Sequence, residues 1–597
     1  MAKKIKPVNY TSRDFSSIKQ DLIDYAKRYY PDSYKDFTEA SFGSLMLDTV
    51  SYVGDILSFY LDYQTNESFL NRATEPQNII NLSRQLGYKF RNSFTSTGEV
   101  TIYALIPNYM AHPGPDAAYY PVIKEGTSFS AAGGGNFILA EDVRFDSPNT
   151  EIVVGRVDES TGEPTYFAVK NTGKIISGQI IEERFNIGEF TRFKKIFLNN
   201  PDIVEVLSIF DSDGNEYFEV ENLSQNIVYK NISKTSDSEF DYRQTLRPIV
   251  APRRFVHDYD GVSHYIQFGY GSEDEILENP VADPSAVTLK LEGKDYTTEK
   301  SFDPMKLLET DKLGISPSNT IITVRMRINT SSNVNAPAGS IKKINGLIAE
   351  FEDVTILDST KLSFVRSSIQ AYNEEPIVGD AAGITAEELK VRAMNSFSAQ
   401  NRAVTAADYE HLTYAMPSKF GSIKRCKIVV DDDSFKRNLN LYILSENNNL
   451  KLAQANTQLK ENLRFWLSQR KMINDTIDIV DGKIINIGIN FEVIADKNSS
   501  KEEVYQACIS RIINKITNPL QMGERFYITD LYSELNKVRG VIDTVNVTLN
   551  NKVGGVYSGV SYSIDTNLSP DGRYLVCPLN ACFEIKFPET DIKGVVR

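Results

Sequence analysis

Four histidines and four cysteines are the residues of this 597-residue chain from which a metal site or a nucleophilic centre would have to be built. A zinc site needs at least two of His112, His257, His264 and His411, or a cysteine pair beside them. Cys577 and Cys582 stand five apart without a partner pattern, and free cysteine is commonly buried, so they are read as packed thiols, and no pairing is assigned to Cys426 or Cys508. His257 and His264 can approach each other across a hairpin, but no acidic ligand pattern accompanies them, and a structural role is expected. His411 is placed on a helix face.

Other chemical patterns are equally incomplete. Gly269, Tyr270 and Gly271 lack the third glycine of a dinucleotide fingerprint, because Asp274 stands there, and no Gly-Lys-Ser/Thr phosphate loop occurs. Asp211, Asp213 and Asn215 imitate the opening of a calcium loop, yet Gly214 falls at the fourth position where that loop needs glycine at the sixth. A hairpin turn is the better reading. Asp431, Asp432 and Asp433 read as a solvated turn, and no GxSxG nucleophile elbow is present. The expectation is a protein without catalytic residues, metal, cofactor or small-molecule substrate.

Composition narrows the partners. With 65 basic and 79 acidic residues the net charge is −14, a field that repels a phosphate backbone or an anionic membrane, so neither nucleic acid nor membrane is expected as a partner. Few cysteines, and a start (MAKKIKPVNY) without an apolar run, fit synthesis in a reducing cytoplasm. The most apolar helical stretch, 42–70, carries Asp48, Asp55 and Asp62, seven apart, which rules out a membrane span and predicts a polar stripe.

The fold class expected is multidomain α+β, with roughly four domains' worth of chain. Residues 1–95 read as an N-terminal helical, bundle-forming region. Thr11 and Asp14 resemble a capping box ahead of a helix from about 14 to 30, and a third helix starts at Thr74 with Pro76 and stops at Gly87. Between them, Phe42, Leu45, Thr49, Tyr52, Ile56, Phe59, Tyr63, Asn66 and Leu70 recur three and four apart. A second stripe, Met46, Val50, Val53, Leu57 and Tyr60, runs beside the first, so this helix, about 43 Å long, needs more than one neighbour to cover it. The first stripe, without Asn66, is the candidate oligomer interface.

Period-two patterning, as in Val100, Ile102 and Ala104, marks 96–260 as β-rich, with turns at Gly133–Gly135 and Asp213-Gly214. A β-rich segment follows over 261–345, ending in a polar loop at 331–340 read as a seam or hinge. Residues 346–420 read as helical, with start signals at Thr385/Glu388 and Thr405/Asp408. An alternation of strands and helices makes 421–549 a C-terminal α+β domain, and 550–597 a β-rich tail.

Several of these segments together resemble the baseplate J-like family, in particular the wedge subunits of contractile-tailed phages. The resemblance rests on ESFLNRATEPQNIINLSRQLGYKFRNSFTSTGEVTIYA (67–104), PVIKEGTSFSAAGGGNFILAEDVRF (121–145), IQFGYGS (266–272) with Gly269, and NTSSNVNAPAGSI (329–341) with Gly339. Its most specific piece is EELKVRAMNSFSAQNRAVTAADYEHL (387–412), similar to the family's arginine-alanine helix followed by Ala403, Val404, Thr405, Asp408 and Tyr409. GERFYITDLYSELNKVRGVIDTVNV (523–547) completes it. The longer helical start and extra β segments over 146–260 depart from a short family member and favour the larger wedge type.

The resemblance implies a structural subunit of a six-fold tail baseplate in the virion. It would join copies of itself and other wedge proteins into a ring around a hub, reach hub and sheath-proximal proteins through neighbours, and take part in the switch that triggers sheath contraction. A component of a cellular contractile injection system fits the same pattern. A tailspike-type receptor-binding protein would predict repeats and a carbohydrate groove, and an envelope hydrolase a paired-acid or histidine-based site. The sequence offers neither.

Overall fold

The computed structural model describes residues 14–597 except 32–37, 39–40, 91–94, 110–113, 148–149, 159–161, 234–243, 273–312, 330–333, 353, 356, 381–383, 432–437, 498 and 517–519. Thr11, His112, Asp432 and Asp433 therefore lie outside the described residues. The chain divides into two units: residues 1–90 with 384–394, and residues 91–383 with 395–597.

In the first unit three helices follow the expected order, α1 (Phe15–Tyr29), α2 (Phe42–Glu67) and α3 (Pro76–Gln85). The side chain that caps α1 is Asp14, which accepts from Ser17 N–H; the hydroxyl donors Ser16 and Ser17 hold its carboxyl down to about 2. Ser41 caps α2 in the same way. At 26 residues α2 is about 39 Å long and ends before Leu70.

The turn from α2 to α3 is organised by one carboxylate. Glu67 accepts from Thr74 Oγ1 (2.6 Å), Asn78 Nδ2 (2.9 Å), Thr74 N–H (2.8 Å) and Glu75 N–H (3.3 Å), so it satisfies orphan donors at the start of α3. The Thr74 hydroxyl and the Asn78 amide depress its pKa to about 2. The helix expected to start at Thr74 begins at Pro76 with Glu75 as its N-cap residue, and Thr74 donates to Glu67.

The second unit is built on the strand Thr95–Pro107. One edge runs antiparallel to Pro164–Ser177, from Thr97 opposite Ile176 to Pro107 opposite Tyr166; the other edge pairs with Gln370–Tyr372 and Val378–Asp380. The sheet continues outward through Asn136–Leu139 and Ser128–Ala131 on one side, and through Asn438–Glu446 and Arg425–Val430 on the other. The period-two residues Val100, Ile102, Ala104 and Ile106 all point into its core, beneath α4 (Ser359–Ser368). The strands of 346–380 were not expected: beside α4 the segment supplies three short strands, Ala349–Glu350, Gln370–Tyr372 and Val378–Asp380, rather than helix alone.

A second sheet of seven strands has its own core, made by Ile203, Ile209, Tyr217, Phe255, Phe268, Ile322, Val324 and their neighbours. Its strands Gln179–Ile187 and Thr320–Ile328 pair antiparallel over nine residues. The C-terminal region divides differently from its sequence blocks. After α5 (Ala386–Ala399), Arg425–Val430 and Asn438–Glu446, with the parallel strand Thr476–Asp481 and the helices α6 (Ala406–Tyr414) and α7 (Thr457–Ser468), share one core. Lys483–Ala495, with α8 (Lys501–Ile516) and α9 (Ile528–Asn536), forms another. The tail belongs to this last core, since Ala581–Glu584 and Ile592–Val596 both pair parallel with Lys483–Ala495.

The polar loop read as a hinge is fixed over its described part. Val334 and Ala336 are buried, Ala336 and Ile377 exchange backbone hydrogen bonds of 3.0 and 2.8 Å, and Asn335 Nδ2 donates to Glu446 O at 2.8 Å. These contacts tie Val334–Ala336 to the sheet, whereas Pro337 and Ala338 are exposed.

Two outcomes follow from these caps. Because the pKa of Glu67 is lowered in the folded chain, its contribution is complete above the ordinary glutamate value near 4.5 and disappears as pH falls towards about 2. Hydrogen-exchange protection of the Thr74 and Glu75 amides should fall across that window, and Glu67→Gln should show the reduced protection already at neutral pH. The helix α6 starts at a complete capping box, with Thr405 Oγ1 accepting from Asp408 N–H and Asp408 Oδ2 from Thr405 N–H at 2.8 Å. Thr405→Ala should cost about 1 kcal/mol in chemical denaturation, and an unchanged midpoint would show that the cap is dispensable.

Candidate functional site

The face that α2 offers to α1 is the small and polar one. Ser44 and Ser51 are buried, Asp48 pairs with Lys19 of α1 at 2.6 Å, and Gly54 lets Ile18 approach so closely that a Cβ there would lie 3.3 Å from Ile18 Cδ1. Asp48 and Asp55 are half-buried, whereas Asp62 is exposed, so the seven-residue spacing does not produce one uniformly solvated stripe.

The apolar side of α2 points the other way. Phe42, Leu45, Thr49, Tyr52, Phe59 and Tyr63 are exposed, Phe42 to 73% and Phe59 to 66%; Ile56 and Leu70 are half-buried. The adjacent stripe of Met46, Val50, Val53, Leu57 and Tyr60 is exposed as well. Phe59 stacks on Tyr63 with ring centroids 6.4 Å apart, and Tyr63 is steadied by donating to Glu75 at 3.0 Å. Two full apolar stripes on one soluble helix form a contiguous patch of the kind that marks an association surface. None of its side chains brings acid–base or nucleophilic chemistry; what it can do is bury area against another helix.

The signature residues have structural work in the second unit. Ala403 is buried, and its N–H donates to Arg470 O at 3.0 Å; Val404 is exposed, but its N–H donates to Asp408 Oδ2 at 3.2 Å. Burial opposes ionisation of Asp408, yet the Thr405 and Val404 donors hold its pKa below the carboxylate range. Tyr409 is buried and donates to Asp475 Oδ2 at 2.7 Å, fastening α6 to the loop before Thr476–Asp481. Gly269 is required by close approach, since a Cβ would stand 2.0 Å from the Gly314 carbonyl oxygen. Gly339 has φ +71°, and its Cβ would meet the Tyr372 hydroxyl at 2.9 Å. These residues set backbone geometry at places distant in sequence from α2.

The residues weighed for chemistry are accounted for by packing. His257 Nε2 and His264 Nδ1 meet at 3.1 Å across their hairpin, and burial lowers the pKa of His264. The Asp211 carboxylate accepts from Asp213 N–H, Asn215 N–H and Asn215 Nδ2, which closes its own turn on Gly214. All four cysteines are buried, and burial pushes Cys577 and Cys582 up to about 11 and about 12. Among the described residues no group of three or more His, Cys, Asp or Glu is arranged to hold a metal, and no helix is long and apolar enough to cross a membrane.

The Glu67 capping network was missed by sequence reading. Its signal, a glutamate seven residues before a Thr-Glu-Pro helix start, has no local periodicity to reveal it.

Comparisons with known proteins bear on the first unit. No curated protein matches the chain. Among solved structures, a chain of "Cryo-EM structure of the anti-feeding prophage (AFP) baseplate, 6-fold symmetrised" aligns over 91% of this chain and 96% of that one, at 8% identity and a TM-score of 0.24, a level that carries no structural argument. Residues 14–85, which hold α1, α2 and α3, match the model of the bacteriophage baseplate protein N-terminal domain.

Proposed function

We propose that the chain is a non-enzymatic structural subunit of the baseplate wedge of a contractile tail. In this reading it joins copies of itself and other wedge proteins into a ring around a hub, reaches hub and sheath-proximal proteins through those neighbours, and resides in the virion after synthesis in the host cytoplasm. The observation that carries the reading is the exposed double stripe of α2 within a segment that matches a baseplate N-terminal domain. A helix that turns its serines, glycine and one ion pair inward and its aromatics outward is organised for an external partner. The natural seat of the stripe is a bundle with helices of neighbouring subunits, because two adjacent stripes call for more than one covering helix.

The chemistry of the interface supports a role in triggered rearrangement. Helices packed through apolar stripes can exchange partners or shift as rigid bodies, and well-packed sheets transmit such shifts without deforming. Switching then resides in contacts between subunits rather than in Val334–Ala336.

Ile56→Asp with Phe59→Asp places two charges in the proposed seam without touching the face that packs on α1. The double variant should keep the far-ultraviolet circular dichroism of the wild type but lose association with the other wedge proteins in co-purification and size-exclusion chromatography, at least tenfold in apparent affinity. Wild-type assembly would move the interface elsewhere. A purified, chelator-washed chain should hold no stoichiometric metal; one tightly bound zinc per chain, seen by mass spectrometry, would overturn the non-enzymatic, metal-free part of the proposal.

A further inference from the structure

The central sheet of the second unit brings together three side chains whose types can make a covalent bond. Asp380 ends the strand Val378–Asp380, Glu446 ends the strand Asn438–Glu446, and Lys424 directly precedes Arg425–Val430; of these three neighbouring strands the one with Glu446 lies in the middle. Lys424 Nζ donates to Asp380 Oδ1 at 3.1 Å and lies 3.1 Å from Glu446 Oε1, and the side chains of Lys424, Asp380 and Glu446 are exposed to only 4%, 11% and 6%. An amine in contact with one carboxyl group, and a second carboxylate within reach of the same amine, are the parts of an amide condensation.

Both reacting residues are fixed by their own main chains. Gly379, paired opposite Glu446, approaches Thr95 so closely that a Cβ would lie 2.4 Å from its carbonyl oxygen. Asp380 N–H donates to Ser422 Oγ at 2.9 Å, and Lys424 N–H donates to Leu444 O at 3.0 Å. Groups held at contact distance in this way react as if at an effective concentration of about 10⁵ M or more. Burial adds a second push, because three charges sealed from solvent are costly to keep. Condensation removes two of them, in a site that admits little water to reverse it.

We propose that Lys424 and Asp380 condense to an intramolecular isopeptide bond, with Glu446 as the proton carrier. Glu446 takes one proton from the Lys424 ammonium and passes it to one carboxylate oxygen of Asp380. The neutral amine attacks Asp380 Cγ and the C–N bond forms. The new nitrogen then gives up a second proton, again through Glu446, to the same oxygen; the C–O bond breaks and water leaves. One hydrogen stays on the amide nitrogen, Glu446 ends as it began, and no oxidant, cofactor or co-reactant enters. Asp380 is the electrophile because its short side chain is anchored on a strand and hydrogen-bonded to the amine, whereas the longer Glu446 side chain has the reach to serve two positions. The bond ties residue 380 to residue 424 across the intervening strand, so that a pull between their strands loads a covalent link. It stands on this triad alone, independent of the baseplate reading.

Intact-mass spectrometry of the purified full chain, denatured before measurement, tests the proposal: the chain should be lighter than its sequence by one water. Trypsin does not cleave after an acylated lysine, so digestion should yield a branched peptide in which 420–425 is joined to 367–390. Lys424→Arg keeps the cation and should retain the full sequence mass, and Glu446→Gln should slow the loss of water at least tenfold. A wild-type chain of full sequence mass would overturn the proposal and leave the triad as an ion cluster. A water lost without that branched peptide, or a branch that joins 420–425 to 438–451, the peptide holding Glu446, would overturn it equally.

Discussion

The second unit depends on a buried cation shared by two carboxylates. Lys424 Nζ lies 3.1 Å from Asp380 Oδ1 and 3.1 Å from Glu446 Oε1, with all three side chains nearly sealed from solvent. Burying such charges is expensive unless each is paired, and removing one member of a buried group costs about 3–5 kcal/mol. The triad therefore tolerates one geometry. Around it, Ser422 Oγ donates to Thr95 O at 2.6 Å and accepts from Asp380 N–H at 2.9 Å, while Asn335 Nδ2 reaches Glu446 O. Four stretches far apart in sequence, at 95, 335, 380 and 422–446, are thereby held in one register, on which the long central sheet is then extended in both directions.

That rigidity contrasts with how the first unit spends its side chains. A helix folded for the sake of its own chain turns its large apolar residues inward and its serines outward; α2 does the reverse. The arrangement is affordable because the internal contacts are specific rather than extensive: an ion pair, two buried serines, a glycine that admits Ile18, and the Glu67 network at the turn. Such contacts fix direction with little apolar area, and leave most of the burial free energy for association.

What was legible in the sequence was local. The Thr405-to-Asp408 spacing encodes a cap because both partners lie within one helical turn, and α2 falls close to its expected bounds because helical periodicity is a short-range property. The stripe residues were legible as apolar, but their outward direction was set by which face carries Ser44, Ser51 and Gly54. Illegible features are those fixed across sequence distance. The Gln179–Ile187 strand finds its partner only at Thr320–Ile328, the tail strand Ile592–Val596 pairs back with Lys483–Ala495, and Gly269 is a glycine because of the Gly314 carbonyl, not because of a turn.

The strongly shifted groups have packing causes: Cys577, Cys582 and Tyr562 lie together in the C-terminal tail, and burial is the first cause of each of their shifts. Burial alone lowers the buried Arg254 to about 10 and raises Cys508 to about 11, and hydroxyl donors hold Asp14 and Glu67 near 2. Arg254 donates to the backbone carbonyls of Leu223 and Ala251, Cys508 lies in the core shared by Lys483–Ala495, α8 and α9, and Asp14 and Glu67 stand at helix starts of the first unit, so no two of these four share a site. The stripes on α2 offer apolar area with little directional content, whereas the buried ion pairs and hydrogen bonds of the second unit supply direction with little apolar area.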